Sequence, residues 1–177
     1  MFAKRHLTAE EINTIVGKIP TPRDKALFLL GVSTGFRISE LLSLTVADVA
    51  TDGKLKDHLT VEAKKMKGGK KCRTVILGNT AKQALASLLH LEPNTPLFPI
   101  TKQHFWRVLK SACKVGGIDP TLVGTHSMRK TFAQRVYKGL GNDIYATSKA
   151  LGHANIATTV AYLGVEQEKI DEVVAGF

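Results

Sequence analysis

Apolar positions recur at helical spacing through most of the chain. Ile12, Ile15, Val16 and Ile19 follow Thr8-Ala9-Glu10-Glu11, where a hydroxyl and a carboxylate three residues apart can satisfy each other's backbone donors. This predicts a capped amphipathic helix closed by Pro20 and Pro22. Residues 23–34 carry Ala26, Leu27, Leu29, Leu30 and Val32, apolar on most sides, which suits a buried helix. Gly35 breaks it, and residues 38–44 read as another short helix. From Leu59 the period changes. LTVEA (59–63) and RTVIL (73–77) are β-branched runs on either side of a turn containing Gly68-Gly69, the pattern of a hairpin. Helical spacing returns over 80–91, 102–115, 127–138, 143–151, 156–163 and 167–174. The pattern predicts a mainly α chain with one small antiparallel β-sheet, an α+β fold in a single domain.

Composition agrees with a globular domain and excludes several classes. With 177 residues, 44% of them hydrophobic and 23% charged, the chain can bury a real core and is neither collagen-like nor disordered. No run of eighteen apolar residues and no signal peptide is present, so a cytoplasmic protein without a membrane segment is expected. Cys72 and Cys113 stand apart from each other and from any Cys/His cluster, which points to plain thiols and no structural zinc. The formal net charge of +10 changes the picture more, since a surplus of this size suits a polyanionic partner, although a basic enzyme with other substrates fits it too. Only the C-terminal stretch is acidic. There Glu166, Glu168, Asp171 and Glu172 face Lys169 alone, a surface better fitted to protein than to DNA.

Four groups of residues could carry chemistry. KKMKGGKKCR places Lys64, Lys65, Lys67, Lys70, Lys71 and Arg73 within ten residues, either a solvated turn or a set of contacts that neutralise phosphates and release counterions. In TGFRISEL, Arg37 sits among Phe36, Ile38 and Leu41. It is either a surface charge or a guanidinium held against the core by Glu40, with its fork turned toward phosphate oxygens. HSMRKTFAQRVY spaces His126 and Arg129 by three, which puts both on one face near a helix N-terminus where an anion is favoured. In LGHANIATTVAYL, Gly152 ends one helix, His153 follows, and Asn155 can cap the next. Tyr162 lies among Ile156, Val160 and Leu163, as packing or as a nucleophile whose phenol, of ordinary pKa about 10, would need activation.

Taken in order, TGFRISELLSL, the lysine turn, HSMRKTFA and LGHANIATTVAYL resemble the boxes of the tyrosine recombinase, or phage integrase, family, and the resemblance covers essentially the whole chain. It implies the DNA breaking-rejoining catalytic fold and a catalytic set of Arg37, a turn lysine, His126, Arg129, His153 and Tyr162. Lys67, followed by Gly68-Gly69-Lys70, best matches the family's lysine, with Lys65 and Lys70 as alternatives. Lys130 stands where many relatives have histidine, outside the catalytic set but placed to touch DNA with Lys64, Lys65, Lys70, Lys71 and Arg73.

The implied activity is cleavage and rejoining of double-stranded DNA through a 3′-phosphotyrosyl link to Tyr162. Arg37 and Arg129 would clamp the phosphate, His153 would donate to it, His126 would serve as base and Lys67 as acid, with neither metal nor cofactor. The resemblance further implies a homo-oligomer, a tetramer on DNA, joined through the C-terminal segment that carries Val173, Val174 and Phe177. The N-terminal core-binding domain usual in the family has no counterpart here, so residues 1–177 are expected to form the catalytic domain alone. Two other readings remain at this point: a type IB topoisomerase-like relaxing enzyme, and a DNA-binding regulator that shares the fold without cutting.

Overall fold

The structure is a computed structural model that describes residues 4–62 and 72–163. It divides into two compact units, Met1–Phe132 and Ala133–Phe177.

In the first unit α1 (Ala9–Lys18) opens on the expected box: Glu11 N–H donates to Thr8 Oγ1 at 3.2 Å, and Thr8 N–H to Glu11 Oε2 at 3.0 Å. Ile12, Ile15 and Ile19 are buried. Pro22 does not close this helix; it is the first residue of α2 (Pro22–Thr34), where its missing N–H costs nothing, and Thr21 caps that helix by accepting from Asp24 N–H. Nearly every face of α2 is covered, with Leu27, Phe28 and Leu30 fully buried. It packs against α5 (Asn79–Ala86), while α1 packs against α6 (Lys102–Val115). α3 covers only Ile38–Leu41, shorter than its pattern predicts, and α5 ends at Ala86, five residues early.

Three elements lie outside the expected set. Thr45 opens a one-turn α4 (Val46–Val49), which leads into β1 (Ala50–Thr51) and β2 (Lys54–Leu55). These strands pair antiparallel across Asp52-Gly53, both at positive φ (49° and 72°). The expected hairpin is present as β3 (His58–Val61) and β4 (Arg73–Ile76), in register His58↔Ile76 and Val61↔Arg73. Among the described residues there are therefore two two-stranded sheets where one was expected.

α7 (Thr125–Gly139) begins in the first unit and runs into the second, which continues with α8 (Ile144–Leu151) and α9 (Ile156–Leu163). α8 and α9 pack on each other. The helix expected over 167–174 lies outside the described residues. No described helix is long and apolar enough to cross a membrane.

Candidate active site

The C-terminal end of α2 organises the site in the first unit. Gly35 takes a left-handed backbone (φ 63°) and closes the helix by donating to the Gly31 carbonyl at 3.0 Å. No side chain fits there, since an added Cβ would lie 2.3 Å from Phe132 Cδ1. The Gly35 carbonyl accepts from Arg129 Nη1 at 2.5 Å and from Arg73 Nη1 at 3.3 Å, and Thr34 O accepts from Arg73 Nη2 at 2.5 Å. A helix C-terminus gathers partial negative charge on its last carbonyls, so two guanidiniums gather there. Both are buried, Arg129 at 1% exposure and Arg73 at 6%.

Arg37 caps α3 two residues further on. The fully buried carboxylate of Glu40 holds it twice, accepting from Arg37 N–H at 2.7 Å and from Nη1 at 2.9 Å. A charge removed this far from water needs such partners, and in return they fix the guanidinium plane.

Arg37, Ser39, Lys102, Thr125, His126 and Arg129 line one cleft of about 190 Å³. They come from the starts of three helices: Arg37 and Ser39 from α3, Lys102 from the first position of α6, Thr125 and His126 from the first turn of α7. Backbone donors at the α6 and α7 ends add to the positive side chains, and no carboxylate is among the described residues lining the cleft. His126 keeps one exposed face. Partial burial, then the charges of Lys102, Arg129, Arg37 and Lys130, hold it below the ordinary imidazole value, so at neutral pH it is uncharged and able to take a proton.

In the second unit Gly152 turns the chain at φ 66°, and His153 N–H returns to the Ser148 carbonyl at 3.1 Å. Asn155 Oδ1 accepts from Ala157 N–H at 2.8 Å, so Asn155 caps α9 as expected. His153 Nδ1 lies 2.8 Å from the buried Thr159 Oγ1, and the His153 and Tyr162 rings meet edge to face at 5.3 Å. The apolar neighbours expected to anchor α9 do not all do so. Ile156 and Val160 are exposed, and the fully buried residue on this helix is Thr159.

The first unit thus brings Arg37, Glu40, His126 and Arg129 together, and the second brings His153 and Tyr162 together. Lys64, Lys65, Lys67, Lys70 and Lys71 lie outside the described residues. Lys130 is half-buried beside Arg129 in sequence. Arg73, expected on the DNA backbone with the lysines, points inward instead: its guanidinium lies 4.4 Å from the Phe36 ring centroid and 5.6 Å from that of Phe132. Burial, then the Arg129 charge, lowers its pKa to about 9, which leaves it cationic at neutral pH. Of the cleft residues that the sequence did not single out, Ser39, Lys102 and Thr125, Lys102 is the charged one. It follows the helix cap Thr101, but one cation among 25 Lys and Arg gives no signal of its own.

The phage integrase family model matches residues 5–169. Tyrosine recombinase XerD of Halalkalibacterium halodurans is 32% identical across 97% of this chain, which spans 60% of that relative's length. The crystal structure of XerA recombinase superposes on 98% of the chain with a TM-score of 0.75 at 25% identity, 64% of that structure being covered. The catalytic domain of bacteriophage HP1 integrase matches 97% of the chain, and is itself 94% covered, with a TM-score of 0.66; at 22% identity that likeness is one of fold. With its basic cleft at three helix starts, and with family boxes running almost from end to end, the chain belongs to the phage integrase family.

Proposed function

We propose that this chain is the catalytic domain of a site-specific recombinase that cuts and rejoins double-stranded DNA through a 3′-phosphotyrosyl intermediate on Tyr162. The observation that carries this is the convergence of Arg37, His126 and Arg129 on one cleft, with no carboxylate among the described residues that line it, a site suited to a phosphate diester.

In the reaction the Tyr162 phenol oxygen attacks the scissile phosphorus, and its proton passes to neutral His126. The bond from phosphorus to the 5′-oxygen breaks, and that oxygen takes a proton from Lys67. Negative charge grows on the non-bridging oxygens, where Arg37 and Arg129, already fixed by Glu40 and the Gly35 carbonyl, need little reorganisation to meet it. With the Thr159 hydroxyl as the donor to His153 Nδ1, the ring proton would sit on Nε2, the tautomer that donates to a phosphate oxygen. The phosphotyrosyl bond retains the energy of the phosphodiester, so a second strand's 5′-hydroxyl reverses the step without a nucleotide. Four copies in the cytoplasm would synapse two duplexes through residues 164–177, whose acidic and apolar side chains suit protein contact.

Selection of covalent adducts from randomised nicked duplexes tests this reading. Recovered sequences, placed on two separate DNAs, are expected to recombine. Supercoil relaxation without joint products would instead mark a topoisomerase-like enzyme, and recovery of no adduct would contradict both.

A further inference from the structure

The geometry points to Arg73 as a positioning residue: laid between β4 and the end of α2, its guanidinium fixes the carbonyl on which Arg129 rests and ties strands β3 and β4 to the arginine cleft. This rests on the recombinase reading for its consequence, but not for its geometry.

Arg73 is costly where it stands. A guanidinium buried at 6% exposure, next to a second one, is less favourable than an apolar side chain of similar volume. Stability alone therefore gives no reason for it. Its partners supply one. Two of its hydrogen bonds end on Thr34 and Gly35, three and two positions before Arg37, and its guanidinium lies over two rings next to the proposed clamp: Phe36 adjoins Arg37, and Phe132 lies three positions past Arg129 on α7. Arg73 and Arg129 share the Gly35 oxygen, so the plane and position of that peptide are set from two sides. Val61 and Arg73 are paired across β3 and β4, so the ends of both strands are fastened to the same peptide. An ammonium has one point of charge and cannot reproduce a fork spanning two successive carbonyls.

The test compares Arg73→Lys and Arg73→Met in the full chain. Both are expected to fold and to bind duplex DNA within about threefold of the wild type, while single-turnover adduct formation at saturating DNA falls about ten- to a hundredfold, the cost of misplacing a clamp by roughly an ångström. Because Arg73 acts through Arg129, Arg73→Lys should add less than about twofold when Arg129 is already Lys. Unchanged cleavage per folded molecule, or losses that multiply in the double variant, would overturn the role. A second readout does not depend on chemistry: the Arg129 Nε–H resonance of the free protein is expected to shift and broaden in both variants. If it is unmoved, the positioning role is wrong even where cleavage falls. If it moves while wild-type protein forms no adduct, the positioning stands and the recombinase reading fails.

Discussion

At the scale of single residues, the proposed chemistry turns on how the cleft treats one imidazole. His126 is held below its ordinary value by partial burial and by four neighbouring cations, of which Lys102 acts most strongly. The unfolded chain therefore takes up the proton first. Stability is full above the ordinary imidazole value of about 6.5, and it falls as pH drops through that value toward the lower folded one. Lys102→Met removes the charge that acts most strongly on His126, so the folded value rises and less stability is lost on acidification. Urea unfolding at about pH 7.5 and 5.5 should show the largest drop for wild type, a smaller one for Lys102→Met and the smallest for His126→Asn. A steeper drop in Lys102→Met would contradict this reading of the cleft. The same substitution should move the acidic limb of adduct formation upward in pH, since a more basic His126 is protonated earlier.

Among the elements, the α2–α3 turn has the greatest consequence for both fold and site. Gly35→Ala forces a side chain into a left-handed conformation and into Phe132, and should cost at least about 2 kcal/mol in urea unfolding, with loss of cleavage beyond what the folded fraction explains. A variant as stable and active as wild type would show that this peptide is not what holds Arg129. Much of this level was legible in the sequence. The Thr8–Glu11 box, the break at Gly35, the Asn155 cap and the pairing of residues near 59 with those near 75 all follow from local chemistry, which tertiary packing left intact. The β1–β2 hairpin was equally local, since Asp-Gly between short strands is a strong turn signal, but strands of two residues offer too little alternation to notice. Arg73 was misplaced because it ends a basic run and reads as part of that charged turn. Its strand gives the better signal. Counting back by twos from buried Leu77 passes Val75 and arrives at Arg73 on the inward face, opposite Val61, while Thr74 and Ile76 point outward. On α9 the apolar pattern misled in the opposite direction, because Thr159 and not Ile156 or Val160 is the covered side chain.

For the whole molecule, a formal charge of +10 and a cleft assembled from helix starts describe a surface prepared for a polyanion, but charge alone suits binding and cutting equally. What separates them is whether Tyr162 becomes bonded to DNA. The rings of His153 and Tyr162 already meet within the second unit, and the two guanidiniums of Arg37 and Arg129 are fixed within the first. The most direct measurement is therefore peptide mapping by mass spectrometry of the protein trapped on a nicked duplex, for wild type and Tyr162→Phe. The expected result is a 3′-phosphonucleotide on the wild-type peptide containing Tyr162, and no adduct from Tyr162→Phe although it retains the duplex. An adduct on Tyr137, Tyr145 or any other residue, or one that persists in Tyr162→Phe, would contradict the central claim.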